Sequence, residues 1–225
     1  MTTVAILDYG LGNLRSVMRG LERAGARTIV TSDLDVITSA DGIVLPGVGA
    51  FSEGMEQLGE MKRTLLEYVS DSPVLGICLG MQMLMEVSEE NGVHTGLGLV
   101  PGTVKKFPHS PGYKVPHMGW NTIHIERGGS GGGSASAGTG CGGSDESNHN
   151  KNQNPLFSGI PQDTYVYFVH SYYADTTPEY TLTSTDYINS FASSIQNKNA
   201  YGVQFHPEKS GDVGLRILKN FIGLL

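Results

Sequence analysis

The sequence predicts an α/β fold: a mostly parallel central sheet flanked by helices, with antiparallel strands appended. Two observations favour this class. In the first half of the chain, short apolar runs alternate with segments of helical spacing, the order that builds a parallel sheet. In the second half, short runs rich in β-branched and aromatic residues follow one another with few helices between them. A length of 225 residues suits one well-cored domain.

The first half begins with a strand at 4–9, followed by a helix whose apolar residues share one face: Leu14, Val17, Met18 and Leu21. Gly25 closes this helix, because a helix end favours a residue that adopts the left-handed conformation. The further elements are strands at 28–30, 42–45 and 74–77, a helix at 61–69, and a helix from 79 to about 86.

The second half is predicted to be mainly antiparallel. Its strands are expected at 103–107, 122–125, 165–169, 180–183, 191–194 and 201–205. The chain then closes with an amphipathic helix, in which one face is formed by Leu215, Leu218, Ile222 and Leu225.

One segment departs from this pattern. Residues 128–144 are made of Gly, Ser, Ala, Thr and Cys141, and a polar run follows as far as Asn154. Such a composition cannot bury a core, so we expect a flexible surface insertion at about 127–154 within a single domain spanning 1–225. A natural insertion and an engineered linker both fit this composition, and neither would carry chemistry.

Composition and charge exclude several classes of protein. The net charge is -7 and no basic block follows an aromatic cluster, which argues against a nucleic-acid surface. No apolar stretch approaches the roughly 18 residues of a membrane span. The first apolar run is cut by Asp8, as in a buried strand rather than a secretion signal, so we expect a cytoplasmic protein. Cys78 and Cys141 are far apart and form neither a disulfide framework nor a zinc motif.

A candidate nucleophile lies in the segment Gly76-Ile77-Cys78-Leu79-Gly80, where a buried strand turns into a helix. This is the spacing of a nucleophile elbow with cysteine in the serine position. The flanking glycines allow the helix to approach the strand, and the helix N-terminus favours the thiolate form of the cysteine. The alternative is a small buried cysteine in a tight turn that serves packing alone.

A candidate base lies near the end of the chain, in Gly202-Val203-Gln204-Phe205-His206-Pro207-Glu208. Residues two apart on an extended chain point the same way, about 6 to 7 Å apart. His206 would therefore take the thiol proton while Glu208 holds the other ring nitrogen, and Pro207 keeps the segment extended. Alone, such a histidine is more often structural; the other histidines show no ligand-type pairing.

A glycine-rich turn, Pro46-Gly47-Val48-Gly49-Ala50-Phe51, follows the strand at 42–45. It lies at the carboxyl end of the predicted sheet, where the active sites of α/β proteins gather. Amides from Gly47, Val48 or Gly49, together with that of Leu79, would form an oxyanion hole. A loop that grips phosphate is the rival interpretation of this turn.

Three segments together resemble the class I glutamine amidotransferases, or triad glutaminases: P-G-V-G-A-F, G-I-C-L-G-M-Q and G-V-Q-F-H-P-E-K-S. Further segments resemble the glutaminase subunits of imidazole glycerol phosphate synthase, namely 8–14, Val48, 115–121 and 168–172. The resemblance covers nearly the whole chain except 127–154, and it implies a flavodoxin-like fold.

The resemblance implies roles for individual residues. The catalytic triad would be Cys78 as nucleophile, His206 as base and Glu208 as the group that orients it. The residues around the substrate would be Gln82 and Glu90, holding the backbone of glutamine, with His170, Ser171 and Tyr172 lining the same site. The residues that meet the partner protein would be Asn13, Trp120, Tyr167 and Lys209. Trp120 also fits the alternative of a core aromatic.

The family's reaction is the hydrolysis of L-glutamine to glutamate and ammonia through a cysteine thioester, with no metal and no organic cofactor. The resemblance implies a heterodimer in which ammonia passes through the barrel of a cyclase subunit. That partner makes imidazole glycerol phosphate and an aminoimidazole carboxamide ribotide in histidine biosynthesis. It further implies that the glutaminase is poor alone and is activated when its partner binds ligand.

Two rival functions remain at this stage. The first is a glutaminase that serves anthranilate, guanylate or pyridoxal phosphate synthesis; Val48 and the segments around Trp120 and His170 favour the histidine pathway instead. The second is a non-enzymatic protein or a hydrolase of the same architecture, in which Cys78 has a redox or packing role. The His206-Pro-Glu208 segment argues against this second rival. A test for glutamate release discriminates between it and a glutaminase.

Deleting residues 128–144 should leave glutamine hydrolysis nearly unchanged, because flexible insertions are tolerated at low thermodynamic cost. The measurement is the rate of glutamate release by the full chain and by the shortened chain. A large loss of rate would show that this segment takes part in the reaction.

Overall fold

The structure, a computed structural model, describes residues 1–126 and 154–225. The insertion expected at about 127–154 therefore lies, apart from Asn154, outside the described residues, as does Cys141. The strands in chain order are Thr3–Leu7 (β1), Arg27–Thr31 (β2), Gly42–Leu45 (β3), Val74–Ile77 (β4), Met85–Ser88 (β5), His94–Thr95 (β6), Val100–Lys106 (β7), His117–Ile125 (β8), Thr164–His170 (β9), Tyr172–Asp175 (β10), Thr181–Asp186 (β11), Ser190–Asn197 (β12) and Ala200–Val203 (β13).

The helices are concentrated in the first half of the chain and at its end. They are Leu14–Ala24 (α1), Leu34–Ser39 (α2), Phe51–Leu58 (α3), Met61–Tyr68 (α4), Leu79–Met83 (α5) and Gly211–Ile222 (α6), with short 3₁₀ helices at Pro155–Phe157 and Pro207–Lys209. Gly25 ends α1 in the left-handed conformation, with φ of 104°. None of the described helices is both long enough and apolar enough to span a bilayer.

The centre of the sheet is parallel, with strand order β2-β1-β3-β4-β13. This is the order of flavodoxin-like folds. The last strand, β13, comes from the far end of the chain and pairs with β4 from Ala200 opposite Val74 to Val203 opposite Ile77. Two strands that are far apart in the sequence therefore end side by side at the same edge of the sheet.

Beyond β13 the sheet continues as β12-β10-β7-β5-β6, mostly by antiparallel pairing. Strand β11 pairs with β12 and β8, and β8 pairs with β9, so that His117 lies opposite His170. The prediction of a mostly parallel sheet with appended antiparallel strands is confirmed.

Helices cover both faces of the parallel strands. Alternate residues of β1 point to opposite faces: Val4 and Ile6 belong to one core cluster, Ala5 and Leu7 to the other. The first cluster includes the buried residues of α1 and α6, and the second includes those of α2, α3, α4 and α5. Each face therefore buries its apolar side chains under helices, as the continuous apolar runs in β3 and β4 require.

The helix predicted from 79 to about 86 is wrong. Helix α5 ends at Met83, and 85–88 form strand β5. The carbonyl of Leu84 accepts from the amides of Leu99 and Val100 at 2.9 and 3.0 Å, so it is engaged by a distant segment instead of continuing the helix. The sequence reading also missed α2, α3, β6 and β10, which are short or lie behind glycine-rich turns.

The buried face of the last helix also differs from its prediction. Gly214, Ile217, Leu218 and Phe221 are buried, whereas Leu215 is only partly buried. Of the four residues predicted to share the buried face, Leu218 is buried in the core, and Ile222 and Leu225 are partly buried and pack against it.

Replacing Gly80 with alanine should destabilise the protein, although alanine favours a helix by about 1 kcal/mol over glycine. A Cβ atom at Gly80 would lie 1.8 Å from the carbonyl oxygen of Leu45, so α5 would have to move away from β3. We expect a loss of roughly 1 to 3 kcal/mol in the free energy of unfolding, measured by urea denaturation.

Gly223→Ala is the matched control. A Cβ atom there would lie 3.3 Å from its nearest neighbour, the carbonyl oxygen of Asn220, and the backbone φ is -72°. Its effect should remain within about 1 kcal/mol. A Gly80 variant as stable as this control would contradict the steric argument.

Candidate active site

Cys78 lies between the end of β4 and the start of α5, in a strained backbone conformation. Its φ is 55° and its ψ is -107°. A residue other than glycine in such a region costs of the order of 1–3 kcal/mol, so the surrounding structure must hold it there. The amide of Cys78 donates to the carbonyl of Val203 at 2.8 Å, which ties the turn to the end of β13.

The two flanking glycines allow this turn to close. A Cβ atom at Gly76 would lie 2.7 Å from the backbone of Gly80, and one at Gly80 would meet the carbonyl oxygen of Leu45. Neither position has room for a side chain. The sharp strand-to-helix turn and the need for glycine on either side of Cys78 agree with the sequence prediction.

His206 follows β13, next to the turn that carries Cys78. Its Nδ1 lies 2.9 Å from Oε1 of Glu208, and both side chains are almost fully buried. The segment does not stay extended as predicted: Pro207–Lys209 is a turn of 3₁₀ helix. The carboxylate of Glu208 reaches the ring of His206 because the chain turns back on itself. Gly20 of α1 packs against Glu208, and a Cβ added at Gly20 would lie 3.2 Å from the Cβ of Glu208.

The charge state of His206 depends on its neighbours. Burial lowers the pKa of the ring, but its interactions with Cys78 and Glu208 outweigh burial and raise the pKa to about 9. Within the described part of the chain, Nε2 of His206 has no hydrogen-bond partner. The imidazolium is therefore favoured at neutral pH, and its free N–H is available to a ligand or a leaving group.

Besides the ring of His206, two polar groups lie near the sulfur of Cys78. The carbonyl oxygen of Val169 lies 3.8 Å away, and Nε2 of Gln204 lies 3.6 Å away. The sequence reading passed over Gln204, although it stands two residues before the candidate base. The one sequence feature that could have indicated its role is its position between the end of the strand and His206.

A cavity of about 380 Å³ opens in front of this group. It lies at the carboxyl ends of the parallel strands, as expected for an α/β protein. Its lining includes all five residues predicted to surround the substrate, Gln82, Glu90, His170, Ser171 and Tyr172, together with Val48, Gly49, Cys78, Leu79, Pro116, Val169 and His206.

The polar groups of Gln82 and Glu90 are partly engaged by the protein. Nε2 of Gln82 donates to the carbonyl of Tyr172 and to Oε1 of Gln204, each at 3.0 Å. Oε2 of Glu90 accepts from the amide of Phe51 at 2.6 Å, at the start of α3. Each residue therefore lines the cavity and keeps a second side-chain atom, an oxygen, as an acceptor outside these bonds.

His170 is part of a buried pair of histidines that the sequence reading missed. Its Nδ1 lies 2.8 Å from the carbonyl of Tyr172, and its Nε2 lies 3.0 Å from Nδ1 of His117. Nε2 of His117 in turn lies 3.3 Å from the side-chain nitrogen of Asn121. Burial lowers the pKa of His170 to about 3 and that of His117 to about 4, so both rings are neutral.

The direction of each hydrogen bond follows from the carbonyl at the end of this series. A carbonyl only accepts, so Nδ1 of His170 carries the proton and its Nε2 accepts from Nδ1 of His117. The amide of Asn121 then donates to the remaining nitrogen of His117. Cross-strand pairing of His117 with His170 was not visible from their spacing of 53 residues in the sequence.

The glycine-rich turn lies against the nucleophile. Gly47 packs under Tyr9 and Leu79, where a Cβ atom would come within 2.6 and 2.8 Å of them, and the hydroxyl of Tyr9 donates to the carbonyl of Pro46. Burial, followed by the charge of a Cys78 thiolate, raises the pKa of Tyr9, which stays a neutral donor.

Three amides near the sulfur remain available to a ligand. Within residues 1–126 and 154–225, the amides of Val48, Gly49 and Leu79 donate no hydrogen bond. Val48, Gly49 and Leu79 line the cavity, whereas Gly47 packs beneath it. The turn therefore offers donors next to Cys78, as an oxyanion site requires.

The four residues predicted to meet a partner are partly or fully exposed. Trp120 is 56% exposed, which overturns its alternative interpretation as a core aromatic. Its ring packs edge-on to Tyr167 with centroids 6.1 Å apart, and Nζ of Lys209 lies 5.8 Å from the centre of the Tyr167 ring. Asn13 caps the start of α1 by accepting from the amide of Ser16.

Comparisons with known proteins agree with this geometry. Residues 5–224 match the family model described as glutamine amidotransferase class-I. The imidazole glycerol phosphate synthase subunit HisH of Methanosarcina barkeri is 47% identical over 227 residues, with all of both chains covered. The protein of the same name from Archaeoglobus fulgidus is 44% identical, covering 99% of this chain and 98% of its own. That from Bacillus cereus is also 44% identical, covering 99% and 95%.

Among solved structures, a chain of PurLQS from Thermotoga maritima superposes with a TM-score of 0.65 at 15% identity, covering 99% of this chain and 98% of its own. At that identity the likeness shows the fold alone. The family model and the full-length relatives show more: this chain belongs to the class I glutamine amidotransferases and, within them, to the family of the imidazole glycerol phosphate synthase subunit HisH.

Proposed function

We propose that this chain is the glutaminase subunit of imidazole glycerol phosphate synthase. It hydrolyses L-glutamine to L-glutamate and ammonia and supplies the ammonia to a cyclase subunit, which makes imidazole glycerol phosphate and aminoimidazole carboxamide ribotide in histidine biosynthesis. The observation that carries the proposal is that Cys78 and His206 line one cavity, with Glu208 bonded to His206. Cys78 follows β4 and His206 follows β13, two paired strands that are far apart in the sequence.

In the first half of the reaction, the Cys78 thiolate attacks the side-chain carboxamide carbon of glutamine. The tetrahedral intermediate places its oxyanion on the free amides of the Gly47–Gly49 turn and of Leu79. His206 holds its proton at Nε2 and gives it to the amide nitrogen as the C–N bond breaks. Ammonia leaves, and the glutamyl group remains on sulfur as a thioester.

In the second half, water replaces ammonia in the cavity. His206, now neutral, takes a proton from the water, and the resulting hydroxide attacks the carbonyl carbon of the thioester. The same backbone amides stabilise the oxyanion that forms. The C–S bond breaks and the thiolate is restored beside the imidazolium. The new carboxylic acid loses its proton to water and leaves as glutamate. Glu208 holds Nδ1–H of His206, which fixes the tautomer that both steps need.

Recognition of the rest of glutamine is assigned to the two acceptors of the cavity. Both protons of Gln82 Nε2 are already donated within the protein, so Gln82 offers an oxygen to an N–H group of the substrate. Glu90 offers its second carboxylate oxygen to the α-ammonium group. His170, Ser171 and Tyr172 form the opposite wall.

The partner surface is assigned to Trp120, Tyr167, Lys209 and Asn13. Exposed aromatic side chains stacked with a cation are typical of protein interfaces, and Met118 beside Trp120 is 62% exposed as well. We place the complex in the cytoplasm, where a catalytic thiol stays reduced. Neither a membrane nor a nucleic acid is part of the proposal.

The runner-up is a glutaminase that serves anthranilate, guanylate or pyridoxal phosphate synthesis with the same chemistry. The full-length relatives that carry the imidazole glycerol phosphate synthase name, at 44% to 47% identity, favour the histidine pathway. The deciding experiment measures glutamate release with and without a liganded cyclase subunit. A strong increase in the rate of glutamate release when the cyclase is present supports the proposal. A rate that is the same with and without the cyclase supports the runner-up.

Activation by the partner would act on the glycine turn. Gly49 has φ of 106°, a conformation in which a peptide can rotate without a side-chain clash. Rotation there would turn an amide toward or away from the oxyanion. The stimulation experiment above therefore also tests whether the isolated chain is a poor glutaminase.

Cys78→Ala should abolish glutamine hydrolysis, lowering kcat by roughly 10⁴-fold or more, since Cys78 is the one cysteine within residues 1–126 and 154–225. Binding to the cyclase and cyclisation driven by added ammonia should remain. Glutamate release and heterodimer formation are the measurements. Cys141→Ala, at the only other cysteine of the sequence, is the matched control and should keep its activity; a fully active Cys78 variant would refute the mechanism.

Glu208→Gln should lower the pKa of His206, because it removes an interaction that raises this pKa to about 9. In the folded state the pKa of His206 is raised above its ordinary value of 6.5. The contribution of protonated His206 to the free energy of unfolding is therefore complete below pH 6.5 and is lost as the pH rises through 9. The stability gap between wild type and variant should therefore narrow over that interval, while kcat falls roughly 10²-fold or more.

NMR titration of the His206 ring, with urea denaturation at about pH 6.5 and about pH 9, gives both quantities. The matched control is Glu67→Gln, at a carboxylate on the surface of α4 that pairs with Arg63. An unchanged His206 titration in the Glu208 variant would show that the carboxylate does not hold the proton on the ring.

A further inference from the structure

We propose that Gln204 is a further catalytic residue: its side-chain N–H donates a hydrogen bond to the sulfur of Cys78 and stabilises the thiolate. The inference deepens the proposed function, since it concerns the same nucleophile. Gln204 directly follows β13, is fully buried, and has Nε2 3.6 Å from Sγ of Cys78. The distance suits a hydrogen bond to sulfur, which is larger than oxygen.

The orientation of the Gln204 amide is fixed by its neighbours. The carbonyl of Tyr172 only accepts, so the group of Gln82 that faces it at 3.0 Å must be the nitrogen. The second proton of that same nitrogen points to Gln204, also at 3.0 Å, and calls for an oxygen there. With its oxygen held by Gln82, Gln204 turns its nitrogen toward Cys78.

The reversed orientation is disfavoured by its contact with Gln82. It would set the nitrogen of Gln204 against the nitrogen of Gln82, donor against donor, and both side chains are buried. An unsatisfied buried group of this kind costs about 1–3 kcal/mol.

Besides the ring of His206, two groups lie near the sulfur, and they act on it in opposite senses. The carbonyl oxygen of Val169, at 3.8 Å, accepts from a thiol but repels a thiolate. The N–H of Gln204 attracts the thiolate more strongly than the thiol, because hydrogen bonds to charged groups are stronger. Gln204 therefore compensates for the carbonyl when Cys78 loses its proton, and it holds the sulfur in place for attack.

Gln204→Met tests this role by removing the donor while keeping the length of the side chain. The experiment uses the full chain carrying Cys141→Ala, so that Cys78 is the only thiol that iodoacetamide can alkylate. The alkylation rate is measured from about pH 5 to about pH 10. We expect the midpoint of the rate profile to move to higher pH by about one unit, which corresponds to a tenfold lower thiolate population at a given pH.

Gln204→Glu is the second variant, in case the methionine impairs folding. A carboxylate still accepts from Gln82 but presents a negative oxygen to the sulfur, so the midpoint should move further in the same direction. Circular dichroism and thermal unfolding confirm that each variant is folded. The matched control is Gln196→Met: the Gln196 side chain bonds to Asn154 and to the carbonyl of Lys198, away from the nucleophile.

The outcomes separate this inference from the proposed function, because alkylation needs no glutamine. A shifted midpoint in folded Gln204 variants supports the role of Gln204 whether or not the chain hydrolyses glutamine. Midpoints equal to wild type in both folded variants overturn it, even if glutaminase activity is present. A shift in Gln196→Met as large as that in Gln204→Met would also overturn it, since the effect would then be general to the fold.

Discussion

The arrangement of the site depends on one strained residue, Cys78, held with positive φ between a buried strand and a short helix. The strain persists because Gly76 and Gly80 let the helix touch the backbone of β3, and because Val203 anchors the turn from the neighbouring strand. A relaxed turn would point the sulfur elsewhere. The other groups of the site act on this sulfur or on a substrate bonded to it, so their positions matter only if the sulfur is held in place.

A second constraint is the carbonyl of Tyr172, which accepts from His170 and from Gln82. Because an acceptor fixes the proton position of each donor that binds it, this one oxygen determines a histidine tautomer on one side and an amide orientation on the other. The tautomer of His170 in turn fixes that of His117, and the orientation of the Gln82 amide fixes that of Gln204. Polar groups that bond to one another in this way favour a single arrangement of the site, because each bond fixes the donor and acceptor roles of the next.

The strands at 42–45 and 74–77 were predicted with their observed bounds, since each is a continuous apolar run ended by a motif. The candidate triad was likewise visible, because each member lies in a short local motif. The helix predicted at 79–86 was wrong because carbonyls there bond to a distant segment. His117 and Gln204 were missed for the same reason: strand register supplies their partners, and register is a property of the fold rather than of local spacing.

Three imidazole rings lie around the cavity or just behind it, yet the protein charges only one of them at neutral pH. His170 lines the cavity, but both of its nitrogens are occupied and burial keeps it neutral, so it is no acid. Ammonia is a base, and a second imidazolium at the cavity would protonate it to ammonium, which is no longer a nucleophile. By keeping His117 and His170 unable to give up a proton, the fold lets the product leave in the form that a synthetic partner can use.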